Sequence, residues 1–423
     1  MSGFNSFARG MRACGEFLRA AAGKSFAAVM IALATLKPAQ LLTLGFLSYV
    51  AFGVLLLSLP LAQTQSIHVI DNLFNVTSAV STTGLTTLSV ADNYSFFGEF
   101  VLLVLFQLGG IGYMTISSFL LLARGRTLSS TRMGVLQAEF ALPEGLDIKK
   151  FIRQIVLFTL AIEALGTLAL YFEFNRAGVT NAGWSAVFHC VSAFATAGFS
   201  LNNDSLEGFR DNTLVCATIG ILAYLGAIGF IVIQDAWHAA RSREINLTFT
   251  SKVILVMTAL ILVVGMPLLY FGDDSLHALP PGERFIAAAF QIMTASSTAG
   301  FNTVPISAMS AASLVLITMA MIVGASPSGT GGGIKTTTLS SLLAVLLSTV
   351  TGRQRVVFWN HEIPLARIFT ATASATMYLI CLAAWRTSYH WSQTEKETAP
   401  TYSSIPKGNC RPAWYGMHLS RGH

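Results

Sequence analysis

The stretch TASSTAGF at residues 294–301 has two counterparts earlier in the chain, SAFATAGF at residues 192–199 and TSAVSTTGL at residues 77–85. Each stretch ends a short, semi-polar segment with a threonine, a small residue, a glycine and a large apolar residue. The glycines recur at intervals of roughly one hundred residues, and an interval of that size indicates a repeated structural unit. We expect the same local structure at all three places.

The chain around these stretches has the composition of a polytopic membrane protein. Of its 423 residues, 53% are hydrophobic and only 11% are charged, and its mean hydropathy is +0.62. Soluble domains carry about 25% charged residues. The composition therefore excludes a cytosolic enzyme, a nucleic-acid-binding protein and a disordered regulator. The net charge of +6 is typical of basic cytoplasmic loops, and the five scattered cysteines form no CxxC pair that would indicate a disulfide framework or a zinc site.

Long apolar segments alternate with the short ones. A bilayer span needs about 20 mostly apolar residues. The long segments are residues 40–60, 96–123, 151–172, 213–237, 251–271, 312–347 and 364–385. The segments 71–82, 181–195 and 284–297 are too short to cross, and we interpret them as re-entrant half-helices. The recurring unit is therefore a span, a half-helix, a glycine loop and a second span, in an all-α fold.

Basic residues are concentrated on one side of this topology. Those that follow the second, fourth and sixth long segments are Arg124, Arg126, Arg132, Lys149, Lys150, Arg241, Arg243, Lys252, Arg353, Arg355 and Arg367. The opposite side is mainly acidic. The positive-inside rule places the basic loops in the cytoplasm and the re-entrant segments on the outer side.

The repeated loops have the chemistry of a cation filter. A cation enters a membrane only if other oxygens replace its hydration shell, and a ring of backbone carbonyls does so without fixed charge. Glycine allows the backbone to turn its carbonyls toward one axis. The C-terminal end of each half-helix also carries partial negative charge. The alternative is that the glycines are helix-packing positions; their occurrence in three matching units favours pore loops.

The ordered set of motifs resembles the Trk/Ktr/HKT superfamily of potassium transporters, and above all the membrane subunit of Ktr-type bacterial potassium uptake. The resemblance extends over about residues 37–385. It also rests on QLGGIGYMT at residues 107–115, GAIGF at residues 226–230 and GASPSGTGGGIKT at residues 324–336. The short N-terminal region favours the Ktr type over the Trk type, which has two further leading helices.

The resemblance implies four pseudo-fourfold units around one pore, each with one filter glycine. Glycine in the first loop accompanies potassium preference in this superfamily, so Gly84 favours potassium over sodium. Potassium would be bound only through backbone carbonyls, no covalent cofactor is expected, and sodium is a candidate coupling ion. The residues that match the filter are Thr82, Thr83, Gly84, Leu85, Thr196, Ala197, Gly198, Phe199, Thr298, Ala299, Gly300 and Phe301.

The loop at residues 324–333 matches the intramembrane gate of the same superfamily. A glycine triplet interrupts helical hydrogen bonding, and exposed backbone within a membrane requires a water-filled cavity. The residues that we assign to the gate are Gly324, Ser326, Gly329, Gly331, Gly332, Gly333 and Lys335. Lys335 either holds the closed loop or snorkels to the inner face, and the second interpretation is preferred. A phosphate-binding loop needs Gly-Lys-Ser/Thr, and the intervening Ile334 argues against a membrane ATPase.

These patterns divide the chain into units. The proposed divisions are an amphipathic cytoplasmic segment at 1–36, repeat A at 37–124, repeat B at 125–239, repeat C at 240–350, the start of repeat D at 351–385 and an atypical tail at 386–423. No Thr-x-Gly motif stands near residues 400–410, where a fourth filter loop is expected. We interpret the fourth repeat as incomplete, through truncation or a frameshift. The alternatives are that another chain supplies this quarter, or that the chain is a non-conducting scaffold.

The resemblance also implies partners and a location. It implies a homodimer in the bacterial cytoplasmic (inner) membrane, with the filter facing outward and a cytosolic nucleotide-binding ring acting on the gate. Membrane lipid would surround the dimer, and no nucleic-acid partner is expected. Among single residues, Asp235 is either a functional intramembrane acid or an interface residue near Arg241, and the second interpretation is preferred. For His189, a packing role is preferred to a proton relay. Glu163 lies within a span and has no evident partner.

Overall fold

The computed structural model describes residues 38–124, 127, 128, 130, 133, 136, 147–242, 247–353, 355–359 and 361–398. The predicted amphipathic segment at 1–36 and the part of the tail after residue 398 lie outside the described residues. The place where a fourth filter loop was expected lies outside them as well. The described chain is helical apart from one small hairpin, and this confirms the predicted all-α polytopic fold.

The first unit consists of helices packed around a re-entrant helix. Its elements are α1 (Pro38–Leu57), α2 (Val69–Val80), α3 (Val90–Asn93), α4 (Phe96–Ile111) and α5 (Tyr113–Ala123). The short helix α2 packs against α1 and α4. The fully buried side chains of Leu57, Val76, Leu102 and Phe106 form the centre of this packing. The half-helix predicted at 71–82 is therefore present as α2.

The second unit repeats this arrangement. Its elements are α6 (Ile148–Arg176), α7 (Ala182–Phe194), α8 (Thr213–Ile228) and α9 (Phe230–Ser242). The carboxylate of Asp147 accepts hydrogen bonds from the backbone N–H groups of Lys149 and Lys150, which caps α6. The re-entrant helix α7 packs against both α6 and α8 and is almost entirely buried.

The third unit has the same order, and a hairpin and a long helix follow it. Its elements are α10 (Phe249–Gly272), α11 (Asp274–His277), α12 (Pro281–Ser297), α13 (Ala311–Ile322) and α14 (Thr336–Val350). Strands β1 (Val357–Phe358) and β2 (His361–Glu362) pair in antiparallel register before α15 (Leu365–Thr398). The helix predicted at 364–385 thus continues to Thr398.

Within the described residues, three helices are long and apolar enough to cross a membrane, namely α6, α10 and the part of α15 at Leu365–Ala384. Helices α8 and α9 meet at a bend of 95° and make a fourth crossing if they are counted as one broken span. Large apolar side chains on these helices are exposed, among them Leu165, Val263 and Phe369. Such an exterior suits lipid, because helices satisfy their own backbone groups there.

The structure shows a break in two of the predicted spans. Segments 96–123 and 213–237 are each broken at a glycine, Gly112 with φ of 86° and Gly229 with φ of 92°. A positive φ cannot continue an α-helix. The interruption predicted in segment 312–347 is present, between α13 and α14.

Candidate functional site

The three re-entrant helices end in the same backbone motif. After α2, the backbone N–H of Thr82 donates to Ala79 O (3.1 Å) and that of Thr83 donates to Ser78 O (2.8 Å). This is a Schellman motif, in which one residue adopts the left-handed conformation. The same pair of hydrogen bonds recurs after α7 and α12. The residues with positive φ at this point are Thr82, Thr196 and Thr298, at 51°, 52° and 61°.

Threonine is an unusual choice for this position. A β-branched residue is strained at positive φ, and glycine or asparagine normally occupies it. Three independent occurrences indicate that the threonine hydroxyl has a use that outweighs the strain. The hydroxyl groups form hydrogen bonds with the segment that lies beneath the loops.

The predicted filter glycines come together in space. A Cβ atom on Gly84 would lie 2.5 Å from Ala197 O and 3.1 Å from the Cα of Gly198. A Cβ atom on Gly198 would overlap Ala299 O and lie 3.4 Å from the Cα of Gly84. The three loops therefore converge, and carbonyl oxygens of two of them lie against the glycine of the next. Gly300 has the same positive φ as its counterparts, at 84°.

The remaining predicted filter residues occupy equivalent places in each loop. Ala197 and Ala299 are fully buried, whereas Thr83 is exposed and its hydroxyl bonds to that of Ser81. The large residues that follow the glycines act as anchors. Phe199 and Phe301 are each 1% exposed, and Leu85 is half-buried.

Each re-entrant helix also carries one buried polar side chain that holds the segment after its glycine. Asn75 Oδ1 accepts from the N–H of Thr87 (3.1 Å), and Gln291 Oε1 accepts from the N–H of Thr303 (3.2 Å). His189 Nε2 lies 2.9 Å from the hydroxyl of Ser200. All three polar residues stand seven positions before the threonine of their loop.

This set was not predicted, because the three side chains differ in type and share only their spacing. For His189, packing alone was expected. The ring is buried and lies near Phe174, Phe188 and Phe301, and it also supports the second loop by hydrogen bonding.

The predicted gate loop lies directly beneath the three threonines. Thr82 Oγ1 shares its proton between Ser81 O (2.8 Å) and the backbone carbonyl of Thr330 (3.3 Å), and Thr196 Oγ1 shares its proton between Ala195 O (2.7 Å) and Thr330 Oγ1 (3.1 Å). Thr298 Oγ1 accepts from the N–H of Gly332 (2.7 Å). All three re-entrant loops are thus hydrogen-bonded to one short segment, which explains why threonine stands at each strained position.

The break in the second unit supplies acceptors for the same loop. Because α8 ends before Gly229, its last carbonyls have no helical partner. Ser326 N–H donates to Ala227 O (3.0 Å), and Thr330 N–H donates to Gly226 O (3.0 Å). Gly329 packs so closely on Ala227 that a side chain would overlap its carbonyl.

Lys335 corrects a prediction. The preferred interpretation was a lysine that snorkels to the inner face. Instead its Nζ donates to the carbonyl of Gly331 (2.6 Å), and the side chain is half-buried. Inside the loop, Ala325 N–H donates to Gly332 O (3.0 Å), and Gly324 packs against Gly332 and Gly333. The lysine therefore folds back onto the loop.

An open cavity of about 390 Å³ lies on the other side of the glycines. Its lining includes Gly84, Gly198 and Gly300, together with Asp92 and other residues of the outer loops. Two more acidic side chains, Asp204 and Glu207, line it, and its lining includes no lysine, arginine or histidine among the described residues. Such a cavity concentrates cations at the entrance to the glycine loops.

Glu207 is a carboxyl group of this cavity, and its pKa is shifted. Burial raises its pKa above the ordinary value, and the charge of Asp204 raises it further. Hydrogen bonding from Asn302 Nδ2 (2.8 Å) opposes this change.

Two acidic residues singled out in the sequence have partners in the structure. Asp235 accepts hydrogen bonds from the hydroxyls of Thr248 (2.5 Å) and Ser251 (2.6 Å), so it connects α9 to the start of α10. The side chain of Arg241, its expected neighbour, lies outside the described residues. Glu163 accepts from Gln107 Nε2 at 2.9 Å. In the described part of the chain, no group of three or more His, Cys, Asp or Glu residues could hold a metal ion.

The fold and these loops define a polytopic membrane protein of the pore-loop class, with three re-entrant helices converging above a glycine-rich loop. Residues 48–357 match the family described as TrkH, cation transport protein, and the chain belongs to this family. The match confirms the resemblance drawn from the motifs. The chain is a cation transporter and not an enzyme.

Individual relatives agree with this assignment. The chain is 33% identical over 354 residues to the potassium/sodium uptake protein NtpJ of Enterococcus hirae, covering 82% of this chain and 77% of that protein. It is 31% identical over 333 residues to the Ktr system potassium uptake protein B of Vibrio alginolyticus, covering 77% and 72%. The crystal structure of the potassium transporter TrkH from Vibrio parahaemolyticus shares the fold, with a TM-score of 0.60 at 22% identity, covering 80% of this chain and 71% of that one.

Proposed function

We propose that this chain carries potassium ions into the cell, and that the ion loses its water between the loops of Gly84, Gly198 and Gly300. The convergence of these loops is the observation that carries the proposal. Carbonyl oxygens gathered around one path replace hydration oxygens without a fixed charge. The acidic outer cavity supplies cations to this path. The names of the two relatives, one for potassium and one for potassium and sodium, support an alkali cation as the substrate.

The same loops account for ion selectivity in this proposal. Glycine in the first loop favours potassium, and sodium is the coupling ion to be tested. Equivalent residues of the three loops, from Thr82–Leu85, Thr196–Phe199 and Thr298–Phe301, line the path with backbone oxygens. The buried residues Asn75, His189 and Gln291 hold each loop at its outer side.

The gate in this proposal is the loop at residues 324–333, with Lys335 as its clamp. Its hydrogen bonds to Thr82, Thr196 and Thr298 hold it across the inner end of the path. Transport requires that these bonds break. We assign this task to a cytosolic nucleotide-binding ring that binds the basic inner loops of a homodimer, and the relative named as part of a Ktr system supports a transporter of more than one component.

The repeat boundaries belong to the same proposal. We propose units at residues 37–124, 125–239 and 240–350, because each contains one re-entrant helix with the same terminal motif. Helix α15 is the first helix of a fourth unit. The membrane is the bacterial cytoplasmic membrane, the acidic cavity faces outward, and the gate loop faces the cytoplasm.

Growth of a bacterium that lacks potassium uptake tests the proposal. Expression of this chain with a Ktr-type nucleotide-binding partner is expected to restore growth on low potassium, and rubidium uptake into the same cells is expected to rise. The variant Gly198→Ala is expected to abolish both. Membrane insertion without rescue, in the presence of the partner, would instead support a non-conducting scaffold.

A further inference from the structure

Glu163 is a carboxyl group buried inside the membrane. It lies in the middle of α6, a predicted span, and is 6% exposed. Its Oε2 accepts from Gln107 Nε2, which belongs to α4 of the first unit. None of the ion pairs in the described part of the chain includes Glu163. A carboxylate placed here without a cation is costly.

The pair leaves two buried oxygens without partners. Among the described residues, Glu163 Oε1 and Gln107 Oε1 have no hydrogen-bond partner. Both are acceptors when the carboxyl group is ionised, so neither can satisfy the other. A proton on Oε1 turns this oxygen into a donor, and the free amide oxygen of Gln107 becomes its acceptor. In a two-bond pair between an acid and an amide, one such proton satisfies both oxygens.

On α7, no described side chain offers a competing positive charge to Glu163. Helix α7 contributes Cys190, whose Sγ donates to the backbone carbonyl of Glu163 (3.1 Å). The ring of His189, next to it, is bonded to Ser185 and Ser200 instead.

The described side chains of the other helices near α6 likewise offer no positive charge to Glu163. On α8, Cys216 donates to Phe209 O and Tyr224 bonds to Ser296. On α4, Glu99 accepts from Trp184. The described side chains of α5 include no titratable group.

We propose that Glu163 is a proton-binding site inside the membrane, and that the protonated acid–amide pair with Gln107 joins the first unit to the second. The site lies close to the residues at which the first and second glycine loops begin. Gln107 precedes Gly109 and Gly110, which pack on Val80 and Ala195 at the starts of the first and second loops. Cys190 belongs to the re-entrant helix of the second loop. Loss of the proton would place an unpaired negative charge behind both loops.

Infrared spectroscopy of the purified full chain in lipid vesicles tests this assignment at neutral pH. The wild-type chain is expected to show the carbonyl band of a protonated carboxylic acid, and Glu163→Gln is expected to lose it. Glutamine has the shape of the protonated acid and also donates to Gln107 Oε1, so this variant is expected to fold. The control Glu173→Gln lies on the same helix, at its outer end beside Arg176 and Asn212, and is expected to keep the band.

A second variant tests the pairing. Gln107→Leu removes both hydrogen bonds to the carboxyl group, so the acid band is expected to move toward that of a free acid. An unchanged band in Gln107→Leu, or its persistence in Glu163→Gln, overturns the proposal. A carboxylate band at Glu163 that responds to added sodium also overturns it, in favour of a bound cation. None of these readouts depends on transport, so this proposal and the proposed function fail independently.

Discussion

Thr196 Oγ1 donates to Thr330 Oγ1 at 3.1 Å, although 134 residues separate the two threonines. The first belongs to the re-entrant loop of the second unit, and the second belongs to the glycine-rich loop beneath it. Thr330 Oγ1 also donates to the carbonyl of Phe194 (3.2 Å), the last residue of α7. One hydroxyl group therefore joins the proposed filter to the proposed gate.

The variant Thr330→Val is expected to raise ion flux in the absence of a partner. Valine keeps the shape of threonine but removes two buried hydrogen bonds, each worth about 0.5–1.5 kcal/mol. A total loss of about 1–3 kcal/mol favours an open loop by roughly 5- to 150-fold. Rubidium flux into vesicles measures the change. Thr349→Val is the control, because that hydroxyl bonds within its own helix, to Val345 O. Equal fluxes in the two variants would show that the hydrogen bonds of Thr330 do not hold the gate loop closed.

Lys335→Met tests the clamp on the same loop. Methionine fills similar space but cannot donate to Gly331 O, so the loop is expected to open more often and the partner-free flux is expected to rise several-fold. Lys252→Met removes an exposed lysine at the start of α10 and is expected to leave the flux unchanged. If Lys335→Met also leaves it unchanged, the lysine does not restrain the loop.

Gly198→Ala is expected to abolish transport. Its Cβ would overlap the carbonyl of Ala299, and its φ of 70° is unfavourable for alanine. Gly178→Ala is a matched control, because Gly178 has φ of 73° and no atom lies within 4 Å of the place that its Cβ would take. Both variants are strained by about 1 kcal/mol, but only Gly198→Ala blocks the path. Retained rubidium uptake in Gly198→Ala would show that the loop contacts are not needed for transport.

External acid is expected to weaken potassium uptake through Glu207. Because its pKa is raised, this carboxyl group takes up a proton at a higher pH than an ordinary glutamate. The outer cavity then loses one negative charge and attracts fewer cations. The apparent KM for potassium should therefore increase as external pH falls, and Glu207→Gln should show a smaller increase. Asp211→Asn changes an exposed residue outside the cavity lining and should behave like the wild type.

Asp273→Ala is expected to destabilise the third unit. The carboxylate accepts from the N–H groups of Ser275 (2.9 Å) and Ser310 (3.0 Å), and so ties the end of α10 to the start of α13. Hydrogen bonds to a charged group are worth about 1.5–3 kcal/mol each, so the loss of two costs about 3–6 kcal/mol. Thermal unfolding in detergent measures the loss. The neighbouring Asp274→Ala changes a side chain that is 99% exposed and should have little effect.

The pH dependence of this contribution follows from the pKa of Asp273. Burial raises the pKa of this carboxyl group, but hydrogen bonds from Ser275, Ser313 and Ser310 outweigh burial and leave it below the ordinary value. Its contribution to stability is therefore present above the ordinary pKa and is lost as pH falls through the lowered one. An Asp273→Ala penalty that does not shrink in acid would contradict this assignment.

The sequence was sufficient to predict the re-entrant helices and their glycine loops. The short segments at 71–82, 181–195 and 284–297 correspond to α2, α7 and α12 within about three residues at either end. This success has a local cause, because a short apolar segment followed by Thr-x-Gly contains its own end signal. The interruption at 324–333 was predicted because a glycine triplet breaks helical hydrogen bonding and because the loop matches the gate of the superfamily that the sequence resembles.

The breaks at Gly112 and Gly229 were not predicted. Each glycine stands in an uninterrupted apolar run, GGIGYM or GAIGFI, that hydropathy alone extends across the membrane. The reason for the second break is tertiary, because the freed carbonyls of Gly226 and Ala227 accept from the gate loop about one hundred residues later. Gln107 could not be assigned to Glu163, or Lys335 to Gly331, without knowledge of how the helices pack and where the loop turns.

The central claim is that three loops gather carbonyl oxygens around one cation path. Anomalous diffraction from crystals grown with thallium, a heavy analogue of potassium, tests it most directly. A thallium peak between Gly84, Gly198 and Gly300, above the loop at residues 324–333, is the predicted result. Loops that lie apart and face lipid or separate cavities, with thallium bound elsewhere, would contradict it.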